Sequence, residues 1–139
     1  MHPHLESEDM MRILFYDTKN YDRESFQDTL KAGSFQGIAI EYTKSDLDPR
    51  TAALAEGFDA VCAFVSSDVG TRTMEILHEK KIGLVLMRCA GFNNVDLEAA
   101  AKYGIRVMRV PGYSPEAVAE HAMALALASN RRLYKAYNK

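Results

Sequence analysis

Five short apolar runs, each separated from the next by a polar or helical segment, constrain this chain more than anything else in it. They are Arg12–Tyr16, Ile38–Tyr42, Ala60–Val65, Leu84–Met87 and Ile105–Val110. Runs such as Ile13-Leu14-Phe15 show no polar–apolar alternation, as expected of strands buried on both faces of a parallel sheet. Helical spacing fills the intervals. Tyr21–Ala32 places Phe26 and Leu30 on one face before Gly33 and Gly37. A short helix is expected to open at Asp48-Pro49 and stop at Ala55, because proline at the first helical position loses no needed hydrogen bond. Thr71–Lys80 and Asp96–Tyr103 complete the set, the latter closed by Gly104. Parallel strands joined by helices need crossovers of one hand. The expected architecture is α/β: a flavodoxin-like, doubly wound, parallel five-stranded sheet with helices on both sides and a long carboxyl-terminal helix.

That last helix is expected to open at Pro115, capped by Ser114, and to run toward Lys139. Ala117–Ala128 reads AVAEHAMALALA, with only Glu120 and His121 polar. A helix apolar nearly all round has to be covered nearly all round. From Pro115 to Lys139 it would measure ~37 Å at helical rise, against a radius of gyration of about 14 Å for a domain of this size. The pattern therefore implies a missing surface, supplied by another domain, another subunit or both, unless the helix is internal to a three-layer sandwich.

A length of 139 residues suits one domain, and 47% hydrophobic with 26% charged residues is ordinary for a soluble protein. Net charge is −2, and the basic cluster Arg131, Arg132, Lys135 and Lys139 reads as a solvated helix end, so no nucleic-acid partner is expected. No apolar run approaches the ~20 residues that cross a bilayer, and no membrane partner is expected. Residues 1–10 are polar and acidic, lack the core of a signal peptide and read as a disordered leader; the expected location is cytoplasmic. Cys62 and Cys89 read as two buried thiols of a cytosolic protein, and His2 and His4 as incidental, so no metal is expected.

Ligands of open α/β sheets collect beyond the carboxyl ends of the strands. The loop after the first strand, Asp17-Thr18-Lys19-Asn20, has no glycine with which to cradle a phosphate. The third strand ends Phe64-Val65-Ser66-Ser67, without the aspartate of a phospho-acceptor site, and GxGxxG occurs nowhere. More informative is Arg88-Cys89-Ala90-Gly91-Phe92-Asn93-Asn94-Val95-Asp96 after the fourth strand. Small residues let a ligand approach the backbone, successive N–H groups can form an anion nest, and Asp96 can cap the next helix. From spacing alone, a tight strand-to-helix turn without any ligand is the better reading. Beyond the fifth strand, Pro111 and Pro115 flank Gly112-Tyr113-Ser114, a restrained turn in which the Tyr113 hydroxyl either meets a polar substrate or the ring simply packs.

Two of these stretches, RCAGFNNVDLEAA (Arg88–Ala100) and VPGYSPEAVAEHA (Val110–Ala122), resemble the amino-terminal motifs of the D-2-hydroxyacid dehydrogenases. Tyr-Ser-Pro followed by Ala-Glu-His is similar to the D-lactate dehydrogenase branch, and the opening RILFYD and the segment GFDAVCAFVSSDV fit as well. The resemblance covers Met11–Lys139. It implies that the backbone N–H groups of Ala90 and Gly91 hold the substrate carboxylate, that Tyr113 lines the pocket and donates a hydrogen bond, and that Phe64 shapes the side-chain pocket. It further implies a substrate-binding domain over residues 11–114 and a hinge helix over 115–139 that leads to an NAD-binding domain and contributes to a homodimer. The family's catalytic arginine, glutamate and histidine lie beyond the hinge, so none is expected among these residues. Glu120, His121 and Arg88 do not match them, and Arg88 is expected only to support its loop. The implied activity is interconversion of pyruvate and D-lactate with NAD in the whole enzyme, with this chain alone inactive. The alternative is a stand-alone carboxylate-binding or oligomerisation module.

Overall fold

In the computed structural model, which describes residues 10–33, 35 and 37–137, five parallel strands form one sheet in the order β2-β1-β3-β4-β5. They are β1 (Met11–Phe15), β2 (Ile38–Tyr42), β3 (Ala60–Ala63), β4 (Leu84–Met87) and β5 (Arg106–Arg109). This is the flavodoxin-like order, with its reversal between β1 and β3. The expected fold class is therefore correct. The leader at residues 1–9, with His2 and His4, lies outside the described residues, and Met10 is exposed.

The sheet has two unequal faces. On one, Leu14, Tyr16, Val61, Ala63 and Val85 pack beneath a short 3-10 helix (Ala52–Ala55), α2 (Thr71–Glu79) and α3 (Leu97–Tyr103), which contribute Ala52, Ala55, Met74, Leu77, Ala99 and Ala100. The other carries Ile13, Phe15, Ala60 and Cys62, with Leu84 and Leu86 only partly buried. It is covered by α1 (Asn20–Lys31), whose Phe26 ring meets Phe15 edge-on at 5.2 Å. Toward β5 no described element covers this face: Met108 is 59% and Val110 47% exposed beside a shallow apolar groove that also takes in Phe26, Cys62 and Leu86.

Several expectations need correction. Full burial holds for β3 alone; β5 is an edge strand, and its sequence Arg-Val-Met-Arg leaves only Val107 turned toward the core. The helix expected from Asp48 is delayed to Ala52, because the Asp48 carboxylate accepts from the Arg50 and Thr51 N–H groups and holds the segment as a turn. That carboxylate is held at about 2, chiefly by its hydrogen bond to the Arg50 guanidinium. The third strand stops at Ala63, where the Phe64 N–H donates to Ser67 Oγ at 3.2 Å and turns the chain.

The carboxyl-terminal helix is also shorter than expected. It forms α4 (Pro115–Asn130), ~24 Å at helical rise, and a separate α5 (Leu133–Tyr137) follows. The break falls at Arg132, whose φ of 51° is left-handed and whose N–H donates to the Ser129 carbonyl. Ser114 does not cap the helix: it too is left-handed (φ 36°) and makes no capping bond. No residue of α4 is buried, so it is not the inner helix of a three-layer sandwich. Val118, Met123, Leu125 and Leu127 are each more than half exposed.

Candidate functional site

The loop after β4 is held firmly at both ends. Near β4, the Arg88 N–H donates to the Ala63 carbonyl at 3.1 Å, the Val110 N–H to the Cys89 carbonyl at 3.1 Å and Arg109 Nη1 to the Ala90 carbonyl at 2.9 Å. At the far end the Val69 N–H donates to the Asn94 carbonyl, and the Asp96 N–H to the Val69 carbonyl. Asp96 caps α3 as expected, accepting from the Ala99 N–H at 2.9 Å and from Thr71 Oγ1 at 2.5 Å. These bonds, the Ala99 N–H first, hold its carboxyl below the usual carboxylate range.

Between those anchors the carbonyls of Ala90, Gly91 and Phe92 each accept a hydrogen bond, from Arg109 Nη1, Cys89 Sγ and the Val95 N–H. Among the described residues, the N–H groups of Ala90 and Gly91 donate to no protein acceptor. Gly91 is exposed; a Cβ built there meets no atom within 4 Å, and its φ is not left-handed. Neither the fold of the turn nor its neighbours require glycine at this position. The arrangement leaves two adjacent N–H groups open to an anion, beside the guanidinium of Arg109, which hydrogen-bonds the same loop and lies over the Phe92 ring.

Phe64 stands at the carboxyl end of β3, half-buried, and its backbone is held on both sides. Its N–H reaches Ser67 Oγ, and its carbonyl accepts from the Asn94 side-chain amide at 3.1 Å, which also reaches the Ser67 carbonyl at 2.8 Å. Asn94 thus ties the loop after β3 to the loop after β4. The pairing of Ala63 with Met87 makes Phe64 and Arg88 the next residues on neighbouring strands, projecting from the same face of the sheet. The Arg88 guanidinium lies 4.3 Å from the Phe64 ring centroid and 4.9 Å from that of Phe15. Its Nη2 donates to the Asp17 carbonyl at 2.7 Å, while the carboxylates of Asp17 and Asp22 lie 3.6 and 3.7 Å from its nitrogens. Asp17, at φ 48°, sits in the left-handed region at the opening of α1.

The third wall is open. The turn Pro111–Ser114 is exposed throughout; Tyr113 is 69% exposed, and no hydrogen bond of its hydroxyl is found among the described residues. Ala90, Gly91 and Phe64 are thus brought into one connected framework through Asn94, Arg88 and the paired strands, whereas Tyr113 is joined to it by chain connectivity alone. Glu120 and His121 lie on exposed α4. Sequence reasoning passed over Asn94, Ser67 and Arg109. Asn94 sits inside the quoted loop motif, but its long-range bonds to 64 and 67 leave no local spacing to detect.

Both thiols are free. Burial pushes Cys62 up to about 12, and the same cause raises Cys89, which is half-buried rather than fully buried as expected. Among the described residues no cluster of ligands suits a metal, and no helix is long and apolar enough to cross a membrane. A dinucleotide does not fit the loop after β1 either: it has no glycine, and the Asp17 carboxylate is paired with Lys19 Nζ at 2.6 Å where a pyrophosphate would need donors.

Comparison with known proteins bears on the family of the chain and on its fold. The D-lactate dehydrogenase of Escherichia coli is 41% identical over 93% of this chain and 38% of its own length. A 2-hydroxyacid dehydrogenase homolog of Schizosaccharomyces pombe is 45% identical over 91% of this chain and 37% of its own. The apo structure of the Escherichia coli enzyme superimposes with a TM-score of 0.79 at 41% identity, covering 93% of this chain and 40% of that one. D-lactate dehydrogenase from Aquifex aeolicus, solved with NAD and lactic acid, gives a TM-score of 0.72 at 25% identity, covering 91% of this chain and 36% of that one. The chain therefore spans no more than about two-fifths of the length of these relatives. Residues 13–138 match the family described as D-isomer specific 2-hydroxyacid dehydrogenase, catalytic domain, and the chain belongs to that family.

Proposed function

We propose that this chain is the substrate-binding half of an NAD-dependent D-2-hydroxyacid dehydrogenase that interconverts pyruvate and D-lactate. The observation that carries the reading is the pair of undonated N–H groups at Ala90 and Gly91. Two adjacent backbone donors suit the two oxygens of a carboxylate, and bonds to an ionised acceptor are about twice as strong as neutral ones. The Phe64 ring borders the substrate side chain, and Tyr113 donates its hydroxyl once the open wall closes. The acid–base residues and the nucleotide site belong to a second domain that α4 leads into as a hinge. This agrees with a loop after β1 unsuited to NAD and with a helix that buries none of its residues. The same bare helix would serve a homodimer, and the whole enzyme would work in the cytoplasm.

The test is a titration of the nitrogen-15-labelled chain with pyruvate. The amide resonances of Ala90 and Gly91 should shift most, and the purified chain should not oxidise NADH when pyruvate is added. Pyruvate-dependent oxidation by the chain alone would contradict the division of labour; unmoved amides would remove the carboxylate nest.

The second reading is a stand-alone carboxylate-binding or oligomerisation module, favoured by the same free donors together with the uncovered apolar side of α4. Immunoblotting in the source organism separates the two. A native band well above 15.6 kDa supports the dehydrogenase half, and a band at that mass supports the module.

A further inference from the structure

Arg88 is held by more contacts than support of its own loop requires. Its side chain is 15% exposed and lies between the rings of Phe64 and Phe15, with two carboxylates and a backbone carbonyl around its nitrogens. Its Nε is buried and finds no partner among the described residues. An unsatisfied buried donor is unfavourable, so the pose is maintained by the remaining contacts, and stacking on two rings is the one that only a flat cation supplies.

The Phe64 backbone is already fixed by Ser67 and Asn94, which leaves the direction of its ring as the remaining freedom. Arg88 is a neighbour positioned to remove that freedom, because it occupies the next strand at the same level and presses on the ring at 4.3 Å. The far side of the guanidinium is braced in turn against Phe15 and the Asp17 carbonyl, both belonging to β1 or the loop that follows it. A push on the Phe64 ring is thus resisted by a second strand and not by a flexible side chain alone.

Resting on the reading of Phe64 as the wall beside the substrate side chain, we propose that Arg88 is a positioning residue for substrate selection. By clamping the Phe64 ring it limits the depth of the chamber and favours 2-oxo acids with a short side chain. Lysine at this position would keep the charge but could not lie flat between two rings. The ring would then turn aside, and the chamber would accept a branched acid.

The experiment uses the labelled 139-residue chain and two variants, Arg88→Lys and Phe64→Leu, titrated separately with pyruvate and with 4-methyl-2-oxopentanoate. In the wild type, the Arg88 Nε–H should show nuclear Overhauser contacts to Phe64 ring protons, and pyruvate should bind more tightly than the branched acid. In Arg88→Lys the Phe64 ring signals should move toward those of a mobile ring. The preference for pyruvate should fall about tenfold, the lower end of what a methylene-sized change in a pocket does. Phe64→Leu should lose the preference with Arg88 still in place, which keeps the test decisive if the Arg88 variant does not fold. Unchanged Phe64 ring signals in folded Arg88→Lys overturn the proposal. So does an equal loss of affinity for both acids, since that is what general loosening would do. If the wild type binds neither acid, the proposed function fails, and the ring signals still decide whether Arg88 holds Phe64.

Discussion

The loops after β4 and after β5 neighbour each other and are built in opposite ways. The first is tied to three surroundings: to β5 through Arg109 and Val110, to the loop after β3 through Asn94, and to the start of α2 through Asp96 and Thr71. The second is exposed from Pro111 through Ser114, carries left-handed residues at Gly112 and Ser114, and leads into a helix with no buried residue. One wall of the candidate site is preorganised, and the other waits for a cover. Under the proposed dehydrogenase reading, this division would put binding on the fixed wall and closure on the free one.

Substitutions can break that comparison, and the largest effect is expected at Gly91. Because a Cβ there meets no atom within 4 Å, Gly91→Val should change the unfolding free energy by less than about 0.5 kcal/mol. It should nevertheless abolish pyruvate-induced shifts at Ala90. Binding that survives in this variant would show that nothing approaches the backbone. Next comes Asn94→Ala, which strands the Phe64 and Ser67 carbonyls and should cost about 1–3 kcal/mol in urea unfolding. A cost near zero would mean the two loops are fastened by something other than this amide.

Acid sharpens the same contrast. Asp96 is more acidic in the fold than in the unfolded chain, so its contribution is complete above the ordinary aspartate value near ~3.9 and is lost as pH falls through its lowered folded value. Amide exchange in the first turn of α3 should therefore speed up in that acid window, and in Asp96→Asn this pH dependence should disappear. The smallest effect is expected on the free side. Leu125→Gln on exposed α4 should change the stability of the isolated chain by less than about 0.5 kcal/mol, while reducing any self-association seen by light scattering. A large loss of stability would mean α4 is already covered.

The architecture was legible because its signals are local. Ile13-Leu14-Phe15, Val61-Cys62-Ala63 and Leu84–Met87 read as buried strands, and strict alternation with helices left few topologies. The errors came where a local rule met a competing contact. Asp48-Pro49 looks like a helix start until the Asp48 side chain takes the N–H groups of Arg50 and Thr51 for itself. Ser114 looks like a cap until a left-handed backbone turns it away. The loop after β4 stands out in the sequence by its small residues, and its resemblance to a family motif implies roles that spacing cannot. Arg88 was expected to support the loop, but its stacking between Phe15 and Phe64 depends on strand order, since β1 and β4 each lie beside β3.

The edge strand β5 carries one more consequence. Its outer side offers unpaired main-chain groups next to the exposed side chains of Met108 and Val110, a combination that invites strands of other molecules to add on. Yet the strand is only four residues long and has an arginine at each end, the usual guards against such addition. This edge of the sheet is therefore guarded against sideways strand addition, even though apolar side chains lie exposed beside it among the described residues.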